Sequence, residues 1–392
     1  MKESQAIETM RKIALQGADV LTPNGWLPDA TVLVEDGRFI QIDQALKPSG
    51  FVSIDVTGLQ LLPGIVDIHG DAFERMICPR PGVAFPIEMA ILENDRTLLA
   101  NGITTFYYSI TDSFEPGLRS RATVRQIIQA VENNPQLQAN SLIHIRHEQA
   151  NTADHDELRD WIEAGKIQLL SLNNHLPPST DEETLVRYTK GLQQRIKLSP
   201  TEIRALIEAA IARQDEGLQQ FEHLVSLAHQ RNIPVATHDD ETEEMVQISA
   251  RRQVSISEFP ASLELAAQSQ AFGAAVLMGA PNLVRGGSHV GYMSVADAVQ
   301  AGVVDCLCSD YHYPSLFHAP FKLAQMGLLP FEQAWQRVST HPARAAKIGD
   351  RKGSVSLGLD ADFLLIQPGD SLPSAIASVY IEGREVARYR PV

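Results

Sequence analysis

His69-x-Asp71 sets an imidazole and a carboxylate two residues apart, and the period of two in an extended segment turns both to one side. The pair can therefore hold one divalent ion. His175 and His238 can hold a second, with Glu148 as the best placed bridging carboxylate, while Asp310 closes the set and can take a proton from bound water. Imidazoles mixed with carboxylates suit Zn²⁺ first, and also Mn²⁺, Fe²⁺ or Co²⁺. Water shared by two such ions is deprotonated at neutral pH while the ions polarise the bond under attack, so the expected chemistry is metal-dependent hydrolysis. The residues leave the number of ions open; two per chain is the expectation.

These groups share a position. Each lies at or just beyond the end of a candidate strand: 61–70, 102–109, 141–148, 167–175, 233–240, 254–259, 274–282 and 304–311. Between them run helical patterns at 89–102, 121–134, 201–214, 221–232 and 262–273. Eight candidate strands alternating with helical patterns predict an α/β fold, a (β/α)8 TIM-type barrel whose strand ends converge on one mouth. On the third strand, 144 and 148 point one way and 147 the other, so Glu148 is expected in the mouth and His147 against a helix.

Both ends of the chain read differently. Residues 1–60 and 350–392 are rich in short strands and hairpin signals, among them EDG at 35–37 and IEGRE at 381–385. They predict one composite β-sandwich domain built from both termini, with the barrel over 61–349 inserted between them. The gap between His175 and Ile233 is too long for a structureless loop and predicts a helical insertion at about 176–220.

The balance of 33 basic and 48 acidic residues gives a net charge of −15, which disfavours nucleic acid and anionic membranes but not a small anion in a cationic cleft. The three cysteines, Cys78, Cys306 and Cys308, offer no disulfide framework. The N-terminus lacks the pattern of a signal peptide, and no apolar run is long enough to span a bilayer, so a cytoplasmic protein is expected.

LLPGIVDIHGD at 61–71 and THPARAAKIGDRKGSVSLGLDADFLLI at 340–366 resemble the amidohydrolase superfamily. HGDAFER, CPRPG, THDDET, SEFP, MGAPNLVRGGSH and LCSDYHYPS, in this order, resemble more narrowly the phosphonate-utilisation diphosphatases. That resemblance implies cleavage of α-D-ribose 1-methylphosphonate 5-triphosphate to the 5-monophosphate and pyrophosphate. It places the metal ligands at His69, Asp71, Glu148, His175, His238 and Asp310. It also implies a homodimer working beside other enzymes of phosphonate metabolism. Two segments differ from the family pattern: SLNNHLPPS around His175, and FYYSITDSFEPGLRSR after the second strand.

A polyphosphate needs cations beyond the metals, and arginine suits it through bidentate contacts. Arg75, Arg80, Arg119, Arg121 and Arg285 are the candidates. Gly286 and Gly287 permit close backbone approach, and their N–H groups with Arg285 and His289 are expected to cradle an anion. Tyr311 and His312 lie where they would meet a leaving group. Two other readings stand beside this one: hydrolysis of a cyclic amide or N-acyl compound, expected to show one carboxylate-binding arginine and an apolar pocket, and a non-catalytic metal-binding barrel.

Overall fold

A computed structural model describes residues 12–44, 46–80, 82–177, 179–287, 293–369 and 374–389. Eight parallel strands follow one another around a ring: Ile65–Gly70, Ile103–Asp112, Asn140–Glu148, Leu169–Asn173, Val235–His238, Ile256–Glu258, Ala275–Gly279 and Cys306–Cys308. Each pairs in parallel with the next. The seam between last and first is drawn together by a parallel bridge of Gly70 with Asp310. There the Asp310 N–H donates to the His69 carbonyl at 2.9 Å and the Asp71 N–H to the Asp310 carbonyl at 3.0 Å. Position 70 must lack a side chain, because a Cβ would lie 2.5 Å from the Phe106 ring and 2.8 Å from Ser309 Oγ.

Strand parity divides the two faces. Ile65, Phe106, Ile145, Leu170, Val235, Val276 and Leu307 pack with the surrounding helices. Leu169, Ala236, Ile256 and Cys308 belong to a second buried cluster that fills the barrel. Two residues further along those same strand faces come Ser171, His238, Glu258 and Asp310. An apolar floor thus lies directly beneath a polar layer, which is how this sequence turns alternation into a site.

The single strand expected over 61–70 is two. Gln60–Pro63 joins the second sheet, antiparallel to Phe363–Gln367 and parallel to Lys12–Thr22, and Ile65–Gly70 opens the barrel. Pro63-Gly64 makes the break: a Cβ at Gly64 would sit 2.2 Å from Thr104 Oγ1. The second sheet combines both ends of the chain in the order Arg384–Arg388, Ala375–Ile381, Phe363–Gln367, Gln60–Pro63, Lys12–Thr22, Gly25–Glu35 and Arg38–Asp43, with Val52–Asp55 also beside Lys12–Thr22. Its hairpin turns at Asp36-Gly37 and Glu382-Gly383 all have positive φ, the type I′ geometry that matches strand twist. Phe363 and Tyr380 stack at 4.5 Å across the antiparallel pair.

Between the fourth and fifth barrel strands the chain forms the helices Glu182–Gln193 and Pro200–Ile211 before the long helix Gln214–Gln230. Asp181 caps the first of these, and Ser199 with Glu202 forms a capping box on the second. The pair has its own small core of Leu185, Leu192, Ile196, Ile203 and Ile207. Among the described residues, no helix is long and apolar enough to cross a membrane.

Candidate active site

Three strand ends bend their chains sharply at the mouth. Asp239, Phe259 and Asp310 have φ of 55°, 55° and 52°, a left-handed conformation that costs a non-glycine residue on the order of 1 kcal/mol. At Asp310 the bend coincides with the seam bonds, and Gly279 makes room for it: a Cβ at 279 would come within 3.2 Å of Asp310 Oδ2. Burial, with Asp71 as a charged neighbour, pushes the Asp310 carboxyl up to about 6.

His69 is buried and its Nδ1 lies 2.8 Å from Glu258 Oε1. Glu258 also accepts from Ser171 Oγ at 2.9 Å. Burial alone would raise the Glu258 pKa, but the facing His69 and His144 imidazoles outweigh it and hold the carboxyl well below its ordinary range. An ionised carboxylate only accepts, so His69 Nδ1 carries a proton and Nε2 is the nitrogen left for a metal. His144 is pushed down to about 3, chiefly by burial, and its Nε2 is a buried atom with no hydrogen-bond partner among the described residues.

Across the mouth, exposed His175 approaches Glu148 Oε1 at 2.5 Å with its ring Nδ1, and its backbone N–H donates to Glu148 Oε2 at 3.1 Å. Glu148 is drawn down to about 2: burial opposes this, and the His175 charge and hydrogen bonds prevail. His175, facing that carboxylate, is raised to about 9. Asp239 Oδ2 stands 2.8 Å from His238 Nδ1 and 3.6 Å from His175 Nε2.

The six expected ligands thus fall into one mouth, joined there by Glu258 and Asp239. Donor atoms of His69, His238 and Glu258 lie within 4.8 Å of one another, as do those of His175, His238 and Asp239. These imidazole and carboxylate clusters, with the unpartnered His144 Nε2 beside them, fit a divalent ion. His147 faces away, as period two requires. It contacts Asp112 Oδ2 at 2.6 Å and packs on Phe221 of the long helix.

The expected arginines separate. Arg119 lines the mouth and pairs with Glu74 at 2.9 Å. Arg121 is buried behind it, bidentate to Asp112 at 2.7 Å and 2.7 Å. Arg75 is exposed and donates to the Tyr311 carbonyl. Arg80 is exposed in the turn before Val83. His312, also exposed, holds Ser315 Oγ at 2.8 Å at the start of the helix Tyr313–Gln325.

The glycine-rich loop corrects an expectation. The N–H groups of Gly286 and Gly287 both donate to the Asn282 carbonyl, at 3.2 Å and 2.9 Å, and Arg285 turns back onto the Gly287 carbonyl at 3.2 Å. Gly286, with φ of 92°, ends the helix Ala280–Arg285, so the N–H groups expected to hold an anion cap that helix instead. His289 lies outside the described residues.

Three cations of the mouth are absent from the sequence-based expectation. A cavity of about 480 Å³ is lined by Arg119, Arg146, Arg187 and Arg195 together with Glu148, His175, His238 and Asp239. Arg146 shares the strand face of His144 and Glu148. It donates to Asp71 Oδ2 at 3.3 Å and lies 3.0 Å from His238 Nε2. Arg187 belongs to the first helix of the insertion and Arg195 follows it. Arg195 is held by Glu115 at 2.8 Å and 3.2 Å, and it also lines a larger neighbouring cavity of about 770 Å³.

Comparison with known proteins agrees with this architecture. The model of the Amidohydrolase family matches residues 61–386. Over 327 residues, 81% of this chain and 86% of the relative, the sequence is 32% identical to alpha-D-ribose 1-methylphosphonate 5-triphosphate diphosphatase of Escherichia coli (strain K12). Among solved structures, the beta-aspartyl dipeptidase of Fervidobacterium islandicum AW-1 superposes with a TM-score of 0.63 at 15% identity, covering 96% of each chain. The dihydropyrimidinase of Brevibacillus agri NCHU1002 gives 0.57 at 14% identity, covering 96% of this chain and 95% of its own. The chain belongs to the amidohydrolase family.

Proposed function

We propose that the protein is a metal-dependent diphosphatase that cleaves a phosphoric anhydride in a small phosphorylated sugar, with α-D-ribose 1-methylphosphonate 5-triphosphate, or a close relative of it, as substrate and pyrophosphate as a product. The observation that carries this reading is the convergence of Arg119, Arg146, Arg187 and Arg195 on one cavity with the histidine and carboxylate cluster. A cyclic amide or N-acyl compound would call for a single carboxylate-binding arginine beside an apolar wall; Phe114, Leu176, Leu192 and Ile207 give this cavity such a wall, so the number of arginines is what separates the two readings. Four guanidiniums suit several phosphoryl groups, and the name of the 32% identical relative points to the same chemistry.

Each residue has a task in that scheme. Glu74, Glu115 and Asp71 hold Arg119, Arg195 and Arg146 in place, and a guanidinium has five donors, so a carboxylate partner leaves others for phosphoryl oxygens. His69, Asp71, Glu148, His175, His238, Glu258 and Asp239 surround the place for a divalent ion, which when bound polarises a phosphoryl oxygen and acidifies water. Asp310, with its carboxyl near 6, is suited to take a proton from attacking water at neutral pH.

The test is steady-state hydrolysis by Zn²⁺- or Mn²⁺-loaded protein, with Asp310→Asn alongside, on the ribose phosphonate triphosphate, nucleoside triphosphates and a panel of cyclic and N-acyl amides. The expected result is pyrophosphate release with kcat/KM on the order of 10⁴ M⁻¹s⁻¹ or more, lost in the variant. Asp310-dependent cleavage of an amide without pyrophosphate would overturn the reading.

A further inference from the structure

We propose that the Arg146 guanidinium takes the place of a second metal ion, so that the mouth works with one divalent cation and one fixed organic cation. The inference rests on the reading above that the mouth binds a divalent ion. It departs from the two ions that the ligand set invites.

Arg146 is only 8% exposed and reaches across the division between the two expected pairs of ligands. One nitrogen donates to Asp71 Oδ2 at 3.3 Å, from the first pair, and the other lies 3.0 Å from His238 Nε2, from the second. A guanidinium has no acceptor and does not deprotonate, so His238 must offer Nε2 as a lone pair. That is the electron pair a metal ion would take from this nitrogen. The other ring nitrogen, Nδ1, stands 2.8 Å from Asp239 Oδ2 without the geometry of a hydrogen bond, so the contact with Arg146 is what assigns the lone pair to Nε2.

One side chain therefore engages two of the six expected ligands, and an ion bridging Asp71 and His238 would have to displace a buried cation. The fork of arginine spans both acceptors, where the compact ammonium of lysine would not. Both groups of donor atoms close enough to hold an ion, His69 with Glu258 and His175 with Asp239, count His238 as their third member, so with its Nε2 facing Arg146 the mouth has fewer ligands than two ions would need. A guanidinium in the second position keeps its charge at every working pH and whatever the metal supply. Phosphoryl oxygens entering the mouth would meet it as a fixed counter-charge.

The experiment is a metal count. Protein loaded with excess Zn²⁺, desalted and measured by inductively coupled plasma spectrometry is expected to retain one ion per chain, and Arg146→Met two. Two ions on the unmodified chain would overturn the proposal while leaving the metal reading intact. None would overturn both. One ion on each protein would show that Arg146 is not what excludes the second, and would also overturn it. Should the variant not fold, the electron paramagnetic resonance spectrum of Mn²⁺-loaded wild-type protein decides: isolated Mn²⁺ is expected, and an exchange-coupled pair contradicts the proposal.

Discussion

Glu258 Oε1 and His69 Nδ1 lie 2.8 Å apart, and both residues are almost wholly buried. The carboxylate fixes the tautomer of the imidazole, so the strand that ends at Glu258 determines which nitrogen of His69 is available to a metal. Glu258→Gln keeps the size and removes the charge, and it sets an amide against the Ser171 hydroxyl. The expected outcome is a 10- to 100-fold weaker Zn²⁺ affinity, roughly the loss seen when the partner of a metal-binding histidine is removed. Competition with a chelating dye measures it, and an unchanged affinity would mean that His69 needs no such partner.

The insertion should act on binding. Arg195 reaches the cavity from beyond the insertion's first helix and is held there by Glu115. Replacing it with Met should raise KM for a triphosphate substrate by about 10- to 100-fold, the loss of a charge-assisted contact of roughly 1.5–3 kcal/mol. kcat should change little, because the contact is present in ground and transition states alike. A fall in kcat with KM unchanged would place Arg195 at the reacting phosphorus instead.

Arg121 should matter for stability. Its bidentate pair with Asp112 is buried, with His147 and Asn151 completing the shell of the carboxylate. Burial works to raise the Asp112 pKa, but hydrogen bonds from His147 and Arg121 and their charges hold it below the ordinary 3.8. A depressed carboxylate pKa contributes stability that is present above the unfolded value and lost as pH falls through the folded one. Asp112→Asn should therefore cost about 3–5 kcal/mol at neutral pH by leaving a buried guanidinium unpaired. The deficit should be constant from pH 8 to 5 and shrink below about pH 4. Urea denaturation across that range checks it; a deficit that grew in acid would contradict the assignment.

The barrel was legible because short apolar segments alternate with helical patterns, and the ligands were legible because their types recur at strand ends. Arg146 obeys the same parity as His144 and Glu148, so period two places it in the mouth. A search confined to metal-ligand types passes over it. Glu258 ends a three-residue strand; the alternation of Val254-Ser255-Ile256-Ser257 marks the strand, and the one signal for a site residue is the acidic side chain that follows it. Arg187 and Arg195 lie in an insertion whose exposed charges read as an ordinary solvated surface until its packing over the mouth is known. Gly286 and Gly287 misled for a physical reason: the backbone freedom that suits an anion cradle also suits the end of a helix. The break at Gly64 is marked only by Pro63-Gly64 inside an otherwise continuous strand pattern.

The diphosphatase reading is decided by the phosphorus NMR spectrum of α-D-ribose 1-methylphosphonate 5-triphosphate incubated with metal-loaded protein. The triphosphate resonances are expected to give way to those of pyrophosphate and the 5-monophosphate. A spectrum that stays unchanged under conditions in which the same protein cleaves an amide would contradict it.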